Sequence, residues 1–255
     1  MKLGPVSIPI VPPPFKETPG PGRSGFSGSV FHGAREAEYD RFILSPSQYA
    51  LVVYAALIGL KRMSEKSLEM FNQDGSTVEM IGAEHSPGME VMTGSLGQGI
   101  SQAAGIAFGR RLKKETGRVW VFMSDGEFQI GQTWEAIQTM SFYRLDSVGI
   151  YVDVNGQQCD GKTATVMNVE PLDKRLEAFG ARVFRVNGHD SSALARPAGL
   201  KPDGRPLVVL ADTDPCRDID LLKKKAPKLH YIRFADDTEK RSYQNCLKQM
   251  ETQDR

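Results

Sequence analysis

From residue 99 onward the chain alternates helical segments with short apolar runs, and that alternation leaves few folds open. Helical patterning covers 99–114, where Ala103, Ala104, Gly105 and Ala107 are small enough for close packing, and recurs at 133–143, 172–179 and 191–195. Between these segments lie apolar runs at 118–123, 148–154, 181–186 and 206–211, bounded by turn-forming residues. Near-continuous apolar runs of that length are the pattern of strands buried on both faces. Strand and helix in alternation predict an α/β fold: a parallel sheet with helices on both faces. At 255 residues the chain is long enough to bury a sizeable core.

Upstream the texture differs. Residues 47–60 are apolar and alanine-rich and 64–71 are amphipathic, so both predict helices. Residues 74–99 are rich in Gly, Ser and Thr and contain HSPG and TGSLGQG. Loops of such length inside a compact region are usually functional or disordered. Pro5, Pro9, Pro12, Pro13, Pro14, Pro19 and Pro21 fall within 1–28, which predicts an extended arm. Residues 235–255 are polar and charged, suited to a surface helix or a loose tail. The expected organisation is an arm over 1–28, one domain over 29–234 and a tail over 235–255.

Charge and cysteine usage exclude several function classes. Lys plus Arg number 32 against 31 Asp plus Glu, so no net field draws the chain to nucleic acid or an anionic membrane. The basic clusters at 110–114 and 223–225 are short enough to be solvated helix ends. Cys159, Cys216 and Cys246 are odd in number and form no CxxC, which argues for a reducing compartment and against a disulfide frame or zinc site. No apolar stretch approaches membrane-spanning length and no signal-peptide pattern opens the chain, so the expected location is cytoplasmic.

In an open parallel sheet, ligands sit beyond the carboxyl ends of the strands. The stretch SDGEFQIGQTWEA puts Asp125 at one such end, and VDVNGQ puts Asn155 at another. Hard divalent cations such as Mg²⁺ take oxygen ligands, one or two from side chains and the rest from phosphates, carbonyls and water. A carboxylate and an amide oxygen on adjacent strand ends supply such a set. The helix opening after Gly131 can lend its positive N-terminus to a phosphate. Each residue also has a local reading, Asp125 as a helix cap and Asn155 as a turn former. On these grounds alone both readings stay open.

The words around these residues carry a resemblance. S-D-G-E and N-G-Q-Q-C-D-G, with 28 residues between Gly126 and Asn155, resemble the thiamine diphosphate signature. DGEFQIGQTWEA, VDVNGQQCDG, PGMEVMTGSLGQGISQAAGIAFG, RVNGHDSSAL, PLVVLADT and DRFILS are similar to phrases of the transketolase family, in the family's order from about residue 40 to 212. The resemblance implies a thiamine-diphosphate-binding fold. A whole transketolase needs three domains, and this chain has room for the first. It therefore resembles the N-terminal, diphosphate-binding subunit of a split transketolase. The implied partner is a C-terminal subunit carrying the pyrimidine-binding domain, in a heterotetramer of two copies each, with sugars or sugar phosphates as substrates. Alone, the chain should bind cofactor poorly and be inactive.

Roles follow from the resemblance residue by residue. Asp125, Asn155 and the carbonyl of Gln157 would hold Mg²⁺, and Gly126, with Ser124 and Glu127 beside it, would border the diphosphate. Gly94 and Leu96 match positions at the aminopyrimidine end. Glu135 matches a glutamate of a proton relay across the interface between subunits. His230 falls where the family has a histidine near the reacting carbons, and a structural histidine is the alternative. His189 matches a turn used for packing. His85, in Gly82-Ala83-Glu84-His85-Ser86-Pro87, is a candidate sugar contact. Ser45-Pro46-Ser47-Gln48 stands where the family has Ser-Lys-Gly-His, so Gln48 replaces a substrate-contacting histidine; it can hydrogen-bond but not titrate. Ser124 replaces the signature's first glycine, Ile130 an interface glutamate, and His32 is a stand-in for an early Gly-His-Pro. These departures point to an altered sugar donor or acceptor, set against an ordinary transketolase that has diverged. The rival readings are the α chain of a 2-oxo acid dehydrogenase and a catalytically dead subunit that binds and regulates its partner.

Overall fold

The apolar runs form the strands they predict, and the glycines and polar clusters between them end those strands. The computed structural model describes residues 1–3, 9–12 and 35–253. Much of the proline-rich arm, and His32, lie outside them. The strands are β1 (Arg41–Leu44), β2 (Val119–Ser124), β3 (Val148–Val154), β4 (Gln157–Gln158), β5 (Gly161–Lys162), β6 (Arg182–Asn187) and β7 (Leu207–Asp212). The helices are α1 (Ala50–Gly59), α2 (Gln98–Leu112), α3 (Gly131–Phe142), α4 (Thr163–Val166), α5 (Leu172–Ala178), α6 (Ser191–Ala198), α7 (Asp220–Lys223) and α8 (Asp237–Gln253).

Five strands make one sheet in the order β1-β2-β3-β7-β6, every pair parallel. The two-residue strands β4 and β5 form a separate antiparallel hairpin just past β3. Side chains alternate across the sheet. Val121, Met123, Ile150, Val152 and Val208 face one side, where Ile100 and Ala103 of α2, Ile137 and Met140 of α3, and Leu176 of α5 close the core. Trp120, Tyr151, Leu207 and Val209 face the other, against Leu194 and Ala198 of α6. On this second side α1 packs Val53, Tyr54 and Leu57 with Leu44, Met63 and Met89. The register pairs Ser124 with Asp153, so the tips of β2 and β3 are neighbours.

The structure departs from the sequence reading in three places, and in a fourth it selects one of two alternatives. Residues 41–44 form an edge strand that no periodicity marked; four residues are too few to show one. The segment predicted helical over 64–71 is a 3₁₀ run at Glu65–Met70, with Ser67 its buried residue and Leu68 exposed. Lacking a side-chain cap, and with Met70 at its end packed against the α1 core while Leu68 stays exposed, it stays a tight short turn. The helix predicted over 47–60 opens with a 3₁₀ turn at Ser47–Tyr49 before α1. Within 235–255 the alternative of a loose tail gives way to α8, tied back by Tyr243 Oη donating to Leu221 O at 3.2 Å and by a 2.6 Å ion pair of Lys225 with Glu239. Described pieces of the arm also pair with the domain: Lys2 N–H donates to Asp40 Oδ2 at 2.7 Å, and Ile10 bridges to Met63.

Candidate functional site

At the end of β2 the chain turns into a 3₁₀ run, Asp125–Gln129, closed by a capping box between Ser124 and Glu127. Capping thus falls to Ser124, which frees the Asp125 carboxylate to reach across to the chain beyond β3. Asp125 is 2% exposed. Its Oδ2 accepts from Gly156 N–H at 3.2 Å and from the Thr163 hydroxyl at 3.1 Å. Its Oδ1 is buried and has no hydrogen-bond partner among the described residues. Burial pushes the Asp125 pKa up to about 6, against the lowering effect of the Thr163 and Gly156 hydrogen bonds.

Asn155 lies on the neighbouring tip. Its Oδ1 accepts from Gln157 N–H at 2.8 Å, a local turn. Its Nδ2 donates to Asp153 Oδ2 at 2.7 Å and to Tyr49 Oη at 3.2 Å. Asp153 also receives the Thr213 hydroxyl, in a short bond, and Tyr49 Oη at 3.4 Å. Burial, then the Asp153 charge, raises the Tyr49 pKa, so the phenol stays protonated. The side-chain oxygen of Gln157 is another buried acceptor without a partner among the described residues. Among those residues no group of three or more His, Cys, Asp or Glu converges as a metal site, so a cation here would need a mixed oxygen set.

A second carboxylate organises the approach to these tips. Glu127 is fully buried; its Oε1 accepts from the Ser45 hydroxyl at 2.6 Å and Gly97 N–H at 2.9 Å, and its Oε2 from Ser124 N–H at 3.1 Å. It therefore joins the ends of β1 and β2 to the loop that carries TGSLGQG. Gly97 turns that loop at φ +79°, a left-handed conformation glycine adopts freely. The Thr93 hydroxyl donates to Leu44 O at 2.6 Å, and Gln48 Nε2 donates to Gly94 O at 3.4 Å. Gly94, Leu96 and Gln48 are exposed. Gly126 is half-buried, and a Cβ there would lie 3.5 Å from Gln158 Cβ, an ordinary contact.

The structure thus brings together Ser124, Asp125, Gly126, Glu127, Asn155 and Gln157, with the Gln48–Tyr49 segment and Gly94 alongside. His85 is half-buried in the same long loop. Glu135 is exposed on α3, and His230 is exposed between α7 and α8, edge-on to Tyr231 at 4.7 Å. Among the described residues no hydrogen bond joins Glu135 or His230 to the tips. His189 Nε2 accepts from Asp214 N–H at 2.8 Å, a link between turns. Tyr49, Ser45, Thr163 and Asp153 escaped the sequence reading. Asp153 had a signal: it is a charged residue at the end of an apolar strand, two positions before Asn155. Thr163 had none.

Residues 32–200 match the model of a family described as transketolase, thiamine diphosphate binding domain. The chain is 38% identical over 198 residues to the transketolase family protein y4mO of Sinorhizobium fredii, covering 76% of this chain and 71% of that protein. It is 31% identical over 204 residues to an apulose-4-phosphate transketolase subunit of Actinobacillus succinogenes, covering 79% and 74%. Among solved structures, transketolase from Pichia stipitis in complex with sedoheptulose 7-phosphate superposes with a TM-score of 0.64 at 26% identity. That match covers 70% of this chain but 29% of the other. The chain belongs to the transketolase family, and residues 32–200 are its thiamine diphosphate binding domain.

Proposed function

We propose that this chain is the N-terminal subunit of a thiamine-diphosphate-dependent transketolase completed by a second chain with the pyrimidine-binding and C-terminal domains, two copies of each, in the cytoplasm. It covers 29% of a solved transketolase, and a relative that it matches over 74% of that relative's length is named as one subunit of a transketolase. Three free cysteines suit a reducing compartment.

One observation carries the cation and cofactor reading: a buried carboxylate oxygen at a strand tip that no described protein donor satisfies. Such a group costs free energy unless something outside the chain meets it. Mg²⁺ fits the donor set of Asp125 Oδ1, the Asn155 amide oxygen and the Gln157 carbonyl, with phosphate oxygens and water completing the shell. Gly126 supports a phosphate beside it, because the described protein atoms leave room there for a Cβ. Thiamine diphosphate, when bound, supplies a carbon nucleophile for moving a two-carbon ketol unit from a ketose to an aldose. Gly94 and Leu96 face its aminopyrimidine end, while Ser124 and Glu127 shape the diphosphate cradle. Glu135, exposed on α3, faces the second chain. Gln48, His85 and His230 line the sugar side, where Gln48 orients hydroxyls without exchanging a proton. That substitution, with a relative named for apulose 4-phosphate, supports a non-standard sugar.

Co-expression with the chain encoded by the neighbouring reading frame, followed by a panel of ketose donors, tests this reading. The pair should show Mg²⁺-dependent ketol transfer that neither chain shows alone. Asp125→Ala should lower it by more than about a hundredfold. Release of CO₂ from 2-oxo acids would point instead to a dehydrogenase, and full tolerance of Asp125→Ala to a regulatory role.

A further inference from the structure

A side-chain amide has two ends of nearly the same shape, and only its oxygen can ligate a cation. What decides which end of Asn155 faces the cation is therefore a functional question. On its nitrogen side stand Asp153 Oδ2 at 2.7 Å and Tyr49 Oη at 3.2 Å; on its oxygen side stands Gln157 N–H at 2.8 Å. Turning the amide over would set its oxygen against a carboxylate and its NH₂ against an N–H. Both ends oppose the flip. Gln157 N–H occupies one lone pair of the amide oxygen and leaves the second for a ligand.

We propose that Asp153 is a positioning residue that locks the Asn155 amide with its oxygen toward the cation site. This rests on the reading of the strand tips as a cation site. Asp153 is itself held on both oxygens, by the Thr213 hydroxyl just beyond β7 and by Tyr49 Oη just beyond β1. It sits mid-sheet, in register with Ser124 of β2 and Ala211 of β7. Its backbone is thus set by the sheet, and its side chain by Thr213 and Tyr49 from beyond two other strands. Partners of metal ligands characteristically fix ligand orientation in this way, and their loss costs about 10- to 100-fold in metal affinity.

Mn²⁺ binding by the full-length chain, read by the electron paramagnetic resonance of free Mn²⁺, tests the proposal without reference to turnover. Wild type should bind and Asp125→Ala should not. Asp153→Leu, which removes the acceptor, should weaken binding by about tenfold or more while the chain still melts cooperatively. Asp153→Asn should lose well under tenfold: its oxygen can face Asn155 and Tyr49, and its NH₂ can face Thr213, whose hydroxyl turns from donor to acceptor. Wild-type affinity in Asp153→Leu overturns the proposal. So does an Asp153→Asn loss as large as that of leucine, because long-range charge would then be the cause. If Asp153→Leu fails to fold, Tyr49→Phe takes its place, with a smaller loss at unchanged melting temperature expected and no loss overturning the idea. Equal binding by wild type and Asp125→Ala would sink the cation reading, and this proposal with it.

Discussion

Two carboxylates two positions apart, both buried, do opposite things. Glu127 has donors on both oxygens and serves as a strut, whereas Asp125 keeps one oxygen without a described partner. Glu127→Ala would strand the Ser45 hydroxyl and the Gly97 and Ser124 N–H groups; a loss of about 3 kcal/mol or more is expected, read from the urea midpoint. Asp125 should give a pH signature in the metal-free chain. Its pKa is about 6 when folded and 3.8 when unrestrained. Below 3.8 both states hold the proton and burial carries no charge penalty. As pH rises toward 6 the unfolded chain releases it first, so stability falls, by on the order of 3 kcal/mol. Asp125→Asn removes this slope, so the variant should gain on wild type between about pH 4 and pH 6 in pH-dependent melts. The positions of Asp125 and Asn155 were legible because a strand tip followed by a polar word is a local pattern. The partners of Asp125 were not, since Thr163 reaches it from another turn.

Among elements, α2 shows how contact can reverse a propensity. Glycine in a helix interior normally costs about 1 kcal/mol relative to alanine. At Gly105 a Cβ would meet nothing within 4 Å, so Gly105→Ala should stabilise the chain by about that amount. At Gly99 a Cβ would come within 2.7 Å of Ser45 Cα, a backbone atom that cannot step aside. Gly99→Ala should therefore destabilise by about 1–3 kcal/mol and displace Ser45, the partner of Glu127. Thermal melts of the pair should shift in opposite directions. Helical periodicity marked α2 in the sequence, yet the two glycines look alike there. The 3₁₀ run at Glu65–Met70 behaves likewise: its amphipathic spacing seats Met70 against the α1 core, yet leaves Leu68 exposed and does not distinguish an α-helix from a 3₁₀ turn.

At the scale of the molecule, α1 is apolar on all sides, a composition usual for helices buried all round. Here Leu51 and Val52 are 49% and 60% exposed, and Leu60, just past the helix end, is 59% exposed. An exposed apolar face of this kind makes a lone chain adhesive. The isolated chain should bind a hydrophobic dye, and Val52→Lys should reduce the signal while shifting stability by less than about 0.5 kcal/mol. Retention of full dye binding in that variant would place the adhesive surface elsewhere. The chain covers 29% of a solved transketolase, and an unsatisfied helix face fits a piece of a larger assembly.

Local patterning dictates the strand–helix alternation, hence a parallel sheet, and it sets an acid and an amide at two strand ends. These are consequences of periodicity and of breakers, which act over a few residues. Packing in three dimensions makes β2 and β3 neighbours, makes Glu127 a strut, and leaves Asp125 with a buried oxygen unmatched among the described residues. Each depends on groups tens of positions apart meeting in space, and a local pattern carries no information about which distant donor arrives, or fails to.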